Sequence, residues 1–273
     1  MNPKQKVARL FDLVAEGYDS PMLRFFPMVG DQMADLLKLK PGERVLDIAT
    51  GTGAFATAAA QAVRPGGRVQ AIDLSEGMLA KAQKNVEKMA LDNVDFHCMD
   101  AAEPEFRSNY FDAVACSFGI FFFSDMDAAL RSWLRLLKPG GRIMFTSFSS
   151  SAFQPMTDLF FSDLRSVGLE LPENQPRTAS DRLPDAAACE QLLTGAGFAD
   201  VASLTLQKGF HIARAEDWWE VVWNAGLRSY VEQLQPEQLV AFRSRHISNI
   251  DALKTDDGIW LDVETFFVGG RKP

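Results

Sequence analysis

The sequence predicts an α/β protein: a mostly parallel sheet of seven strands, helices on both faces, and a helical cap. Three observations carry this. Short apolar runs alternate with helical stretches between residues 44 and 147. The first run enters a glycine-rich turn, Ala49-Thr50-Gly51-Thr52-Gly53, that opens an alanine-rich helix. Pro41-Gly42, Pro65-Gly66-Gly67 and Pro139-Gly140-Gly141 punctuate the alternation. Strands alternating with helices make βαβ units, which build parallel sheets through right-handed crossovers.

Taken in order, residues 4–19 read as an amphipathic helix with Val7, Leu10, Phe11 and Val14 on one face. A second helix falls around 30–37. Residues 44–48 form a buried strand, 54–63 a helix, 68–72 a strand, 78–89 a helix, 94–98 and 111–116 strands, 125–137 a helix and 142–147 a strand. The texture then changes. Residues 150–183, with Pro155, Pro172 and Pro176, suggest an irregular lid. A helix over 186–195, a strand over 201–210, helices over 217–234 and 237–253 and a strand over 259–268 complete the chain. The expected layout is one domain over 1–273. Its core spans about 36–149, 186–212 and 258–273, and cap elements cover 1–35, 150–185 and 213–257.

A length of 273 residues with 47% hydrophobic and 23% charged residues is an ordinary globular composition, so disorder is excluded as the organising principle. The net charge of -8 repels a phosphate backbone, so nucleic acid is not the expected partner. Cys98, Cys116 and Cys189 are scattered and odd in number, which fits buried thiols in a reducing, cytoplasmic setting. His97, His211 and His246 lack ligand spacing, so no metal is expected. No run approaches a membrane span, and the charged first twenty residues do not read as a secretion signal.

The residues that carry chemistry begin with the turn itself. Gly51 and Gly53 permit positive φ and close approach of a ligand to the backbone, and the helix start offers free N–H donors. Asp73 stands twenty residues past Gly53 at the end of the second strand, where a carboxylate accepts from both ribose hydroxyls of a nucleotide-like cofactor. The turn alone also fits the dinucleotide fingerprint. Asp47 inside the first strand, Met99-Asp100-Ala101 after the third, and Lys138-Pro139-Gly140-Gly141 before the fifth point away from that reading.

As a set these motifs resemble the Rossmann-like class I methyltransferases, and among them the ubiquinone/menaquinone-biosynthesis C-methyltransferase group. The likeness covers about residues 11–148 and includes Tyr18-Asp19, Asp73-Leu74-Ser75-Glu76-Gly77-Met78, Phe111-Asp112 and Ser117-Phe118-Gly119. It implies S-adenosylmethionine as cofactor and S-adenosylhomocysteine as product. It implies that Asp47, Ala49, Gly51, Thr52 and Gly53 form the turn around the methionine part and ribose. Asp73 would hold the ribose, Leu74 and Met78 flank the adenine, and Asp100 and Ala101 read its edge. Ser117 would line the methionine side, and Tyr18 reach the cofactor carboxylate.

Two departures from the quinone enzymes fall where an acceptor binds: Ile120-Phe121-Phe122-Phe123 in place of polar residues, and the insertion at about 213–257. The acceptor is therefore expected to be a small molecule other than a quinone precursor, its methylated atom open. Phe118, Phe121, Phe122, Trp218, Trp219 and Arg228 are the candidate pocket residues, and His211, His246 and Glu220 the candidate bases. Competing readings are an NAD(P)-dependent oxidoreductase, a non-catalytic cofactor-binding module, and a protein or RNA methyltransferase. The first would use a Tyr-x-x-x-Lys pair, yet none of Tyr18, Tyr110 and Tyr230 has a lysine at that spacing.

Overall fold

The structure, a computed structural model, describes residues 1–169 and 176–273. The elements of the sheet domain are α1 (Pro3–Val14), α2 (Phe25–Leu36), β1 (Arg44–Ile48), α3 (Ala54–Ala62), β2 (Arg68–Asp73), α4 (Glu76–Lys88), β3 (Val94–Cys98), β4 (Phe111–Cys116), α5 (Met126–Leu136) and β5 (Leu137–Phe148). After β5 come α6 (Met156–Ser166), α7 (Ala186–Gly195), β6 (Ala199–Gln207), β7 (Phe210–Ile212), α8 (Ala215–Asn224), α9 (Arg228–Val231), α10 (Pro236–Asp251), β8 (Ile259–Leu261) and β9 (Glu264–Arg271).

Seven strands form one sheet in the order β3-β2-β1-β4-β5-β9-β6. Neighbours from β3 to β5 are parallel, and β9 runs antiparallel between β5 and β6. Strand order reverses between β1 and β4, so the crevice beyond their carboxyl ends is the natural ligand position. Right-handed crossovers set α3 and α4 on one face, with α2 against α3, and α5 and α7 on the other. β1 and β4 are buried along nearly their whole length, which is why apolar residues dominate both.

The seven-stranded, mostly parallel architecture is the one expected, but several boundaries differ for physical reasons. The last two predicted strands each split: β6 and β9 stay in the sheet, while β7 and β8 peel away as a separate ribbon. Gln207 holds the fork open. Its carbonyl accepts from the N–H groups of Gly209 and Val263 at 2.7 and 2.9 Å, and its amide donates to Asp262 at 2.8 Å. A Cβ on Gly209 would sit 2.3 Å from the Leu261 carbonyl oxygen, so glycine is needed there. The helix expected over 217–234 breaks at Ala225-Gly226 into α8 and α9, because Ala225 turns to an extended conformation. The first helix ends at Val14, and the chain then turns through Gly17, where a Cβ would meet the Asn224 carboxamide at 1.9 Å. Residues 150–183 are not wholly irregular: α6 lies among them. The stretch with Pro172 lies outside the described residues.

Two large apolar clusters result. One fills the sheet and its flanking helices. The other joins α6, α8, α10 and the β7–β8 ribbon to Leu23 and Phe25 from the N-terminal segment, with Phe160, Trp218 and Phe242 at its centre. Among the described residues no helix is long and apolar enough to cross a membrane.

Candidate functional site

Two cavities open at the reversal point. The first, of about 530 Å³, lies over the carboxyl ends of β1, β2 and β4, within the range of small-molecule sites. Tyr18, Ala49, Gly51, Asp73, Leu74, Asp100, Ala101 and Ser117 all line it. The structure thus brings together eight of the twelve residues expected around a cofactor.

Asp73 is fixed by the turn it faces. One oxygen accepts the Gly51 N–H at 2.8 Å and the other the Ser75 N–H at 2.9 Å. Burial raises the carboxyl above the ordinary aspartate range, against the pull of those N–H groups. A carboxylate offers about four lone-pair sites, so these N–H groups leave room for a hydroxyl donor. At the far end Asp100 accepts from the Lys4 ammonium and from the Ala102 N–H. Burial pushes its carboxyl up, but the Lys4 contact and the Ala102 N–H outweigh this and leave it below the usual range. Lys4 belongs to α1, so the N-terminal helix closes this end of the cavity.

Tyr18 lies across the turn with its ring stacked on Phe26 at 4.7 Å. Burial first, then the charges of Asp73 and Asp19, raise its phenol far above the ordinary value, so it stays protonated. Ala49 and Phe118, at the ends of β1 and β4, both take positive φ, 53° and 51°. Such residues cost on the order of 1–3 kcal/mol each and gather at functional sites. Phe118 is held by its N–H to the Thr146 hydroxyl at 3.0 Å and by stacking on Phe148 at 4.1 Å.

Asp47, Thr52, Gly53 and Met78 do not face the cavity. Asp47 lies buried beneath the turn, bonded to the Thr50 hydroxyl at 2.6 Å, with its other oxygen unpartnered. Burial brings its pKa up to about 7. Thr52 presents its carbonyl to the Asn85 carboxamide, Gly53 starts α3 at φ 83°, and Met78 packs against Val14 and Ala15 instead of an adenine.

The second cavity, about 420 Å³, lies between the sheet and the second apolar cluster. Phe118, Phe121, Phe122 and Trp218 line it as expected. Trp219 and Arg228 do not. Trp219 faces an outer groove with Trp223 and Arg243, and Arg228 stacks on Trp223 at 4.0 Å and pairs with Glu232 at 3.0 Å. Arg228 lies beyond the break at Ala225, in α9, and its guanidinium is taken up by Trp223 and Glu232. The candidate bases are also elsewhere. His246 is sealed in the cap between Asp163 and the Trp218 N–H, at 2.9 and 2.8 Å, and burial lowers its pKa. His211 rests on Trp260 in the ribbon, and Glu220 accepts from Ser20.

Sequence reasoning missed Lys4, for which a single sequence holds no signal, and the aromatic residues Phe25, Phe148 and Phe153. The count of 21 phenylalanines was the available clue to the latter. It also missed Arg182, which ties the cap to the phenylalanine loop by donating to the carbonyls of Phe121, Phe123 and Ser124.

Phe11, Tyr18, Phe118 and Phe122 line both cavities, so the two meet across an aromatic junction. The first cavity is ringed by carboxylates, which suits a cationic adenosyl compound and repels the pyrophosphate of a dinucleotide. Comparison with known proteins agrees. Residues 1–215 match the model of the ubiE/COQ5 methyltransferase family. The chain is 28% identical over 271 residues to nocamycin O-methyltransferase of Saccharothrix syringae, covering 96% of this chain and 97% of that protein. It is 33% identical over 214 residues to aklanonic acid methyltransferase DauC of Streptomyces sp. (strain C5), covering 76% and 97%. A SAM-dependent methyltransferase from Aquifex aeolicus shares the fold across all of both chains, with a TM-score of 0.54 at 16% identity.

The molecule is thus an S-adenosylmethionine-dependent methyltransferase of the Rossmann-like class I fold, acting on a small molecule. Within that class the chain belongs to the ubiE/COQ5 methyltransferase family, and neither a nicotinamide oxidoreductase nor a non-catalytic module finds support.

Proposed function

We propose that the acceptor is a largely apolar, flat small molecule seated in the 420 Å³ cavity, and that its methyl group arrives across the junction of Phe11, Tyr18, Phe118 and Phe122. The sharing of those four side chains by both cavities carries the reading. When bound, S-adenosylmethionine supplies a methyl carbon activated by positive sulfur. The chain's task is to align the acceptor and exclude water, and positioning supplies on the order of 7–11 kcal/mol of a barrier.

In this reading Asp73 accepts from the ribose hydroxyls, and Leu74, Asp100 and Ala101 border the adenine. The Ala49–Gly51 backbone and Ser117 face the methionine part, with the Tyr18 hydroxyl donating toward its carboxylate. Phe118, Phe121, Phe122 and Trp218 hold the acceptor. Asp47, Thr52, Gly53 and Met78 support the turn from behind. The names of two relatives, nocamycin O-methyltransferase and aklanonic acid methyltransferase, favour an acceptor other than a quinone precursor, and the first favours oxygen as the methylated atom. The reaction needs no metal, and the enzyme works in the cytoplasm.

Calorimetric titration with S-adenosylmethionine and S-adenosylhomocysteine, against NAD(H) and NADP(H), tests the cofactor site. Adenosyl binding that weakens sharply in Asp73→Ala, together with turnover insensitive to a chelator, is expected. Binding unchanged by that substitution removes the ribose assignment.

A further inference from the structure

We infer that the acceptor reaches this site already as an oxyanion, a carboxylate or a comparably acidic enol or phenol, and that no base among the described residues ionises it. The inference rests on reading the second cavity as the acceptor site.

The titratable groups that border the cavity among the described residues are each committed elsewhere or unsuited to take a proton. Tyr18, at the junction, is a buried phenol that Asp73 and Asp19 hold further from ionisation. The Tyr230 hydroxyl donates to the Arg177 carbonyl, and burial raises its pKa too. Asp181 spends one oxygen on the Thr178 N–H and the other on the Thr178 hydroxyl, both at 2.9 Å, capping a short 3-10 turn. Arg177 pairs with Asp158 at 2.8 Å. Behind the wall, the His246 ring has both nitrogens occupied, by Asp163 and by Trp218. Among the described residues, no imidazole, amine or unengaged carboxylate borders this cavity.

The junction is built for the opposite situation. Four aromatic rings surround the line between the cavities. In so apolar a passage the attraction between an anion and a sulfonium is far stronger than in water. Their reaction extinguishes both charges, so loss of solvent aids it. An un-ionised hydroxyl would instead build positive charge on its oxygen with no group to receive the proton. The balance closes without one: an oxygen lone pair forms the O–CH3 bond, the C–S bond breaks, and its electron pair stays on sulfur as a neutral thioether.

The test follows S-adenosylhomocysteine release with 2-naphthoic acid, 2-naphthol and 1-naphthylmethylamine between about pH 5 and 10, a range bracketed by carboxyl and phenol ionisation. The expected result is turnover of naphthoate at a rate flat across the range. Naphthol turnover rises about tenfold per pH unit toward the phenol's own pKa, near 10. A second arm needs no turnover. Calorimetry compares 2-naphthoate with 2-naphthamide on protein loaded either with S-adenosylhomocysteine or with an analogue carrying an ammonium in place of the sulfonium. Naphthoate prefers the cation-loaded protein by about tenfold or more, and the amide shows no preference.

A rate break fixed at one pH whatever the acceptor, and moved by Asp181→Asn or Tyr18→Phe, overturns the inference and leaves the cavity reading intact. Turnover of the amine with both oxygen acceptors inert does the same. If S-adenosylhomocysteine binds but no naphthalene of any charge does, the cavity reading falls and takes the inference with it.

Discussion

Trp218 is the one candidate tryptophan that lines the acceptor cavity, and its position depends on a buried polar chain that can be cut at one point. Its indole N–H donates to His246 Nε2 at 2.8 Å, and His246 Nδ1 faces Asp163 at 2.9 Å. Asp163 also accepts from Asn249 at 2.8 Å and pairs with Arg245 at 3.2 Å. His246→Phe keeps a ring stacked on Phe242, at 5.4 Å in the native protein, but removes both hydrogen bonds. An orphaned indole N–H costs about 1–3 kcal/mol and a lost bond to a carboxylate a similar amount, so about 2–5 kcal/mol is expected, a fall in Tm of about 5–15 °C. Asp163 is not stranded, since two partners remain.

The pH dependence separates this account from an ion pair. Burial lowers the His246 pKa, against the raising effect of Asp163, so the folded protein holds the ring neutral. The unfolded ring titrates near 6.5. As pH falls through that value, the unfolded chain takes up a proton that the folded one refuses, and native stability drops. The variant lacks this linkage. Urea unfolding followed by tryptophan fluorescence should therefore show the gap between native and variant narrowing from about pH 7.5 to 5.5. A gap that widens on acidification would mean a protonated ring paired with Asp163, and would refute the reasoning.

Other perturbations follow from the same geometry. Asp73→Ala removes a carboxylate from two hydroxyl partners and strands the Gly51 and Ser75 N–H groups. Calorimetry should show adenosyl affinity at least about a hundredfold lower, about 3 kcal/mol. Lys4→Ala breaks a half-exposed pair and should change stability by less than about 1 kcal/mol. It should nonetheless speed S-adenosylhomocysteine release in stopped-flow, because α1 loses its tie to Asp100. Trp219→Ala should leave acceptor KM unchanged, while Trp218→Ala raises it about tenfold or more, ~1.4 kcal/mol.

The sheet was legible because its signals are local and redundant. β1 and β4 are mostly apolar, and proline-glycine pairs fall at Pro41-Gly42, Pro65-Gly66 and Pro139-Gly140, outside the helices. The glycine turn and Asp73 sit at a spacing that one βαβ unit dictates. The cap was less legible because its geometry is set by contacts distant in sequence. Gly226 was the only local signal that α8 stops at Ala225, and apolar residues at helical spacing, Leu227 and Val231, continue past it. The ribbon is the same case: Gln207 forks the strands by binding Gly209, Asp262 and Val263, a bridge across more than fifty residues. Arg228 lies beyond the point where α8 ends, and Trp219, within α8, faces the outer groove while its neighbour Trp218 faces the cavity.

This division has a consequence for how such an enzyme changes acceptor. The cofactor cavity is framed by strand ends, whose positions are over-determined by the sheet. The acceptor cavity is roofed by α6, α8 and α9, which belong to a separate apolar cluster. Substitutions in that cluster can reshape the acceptor's environment without disturbing Asp73 or the glycine turn. The four junction residues are the exception, because each serves both sides. Tyr18 stacks on Phe26 and faces Gly51, and Phe118 sits at positive φ at the end of β4. Gly119, next along, packs so tightly that a Cβ would come within 2.8 Å of Ala49 Cβ and Cys116 Sγ. The phenylalanine loop therefore lies directly against the glycine turn at Ala49, itself held at positive φ. On the proposed reading, acceptor range can drift in the cap, whereas the junction between the two cavities is pinned by the positive-φ ends of β1 and β4.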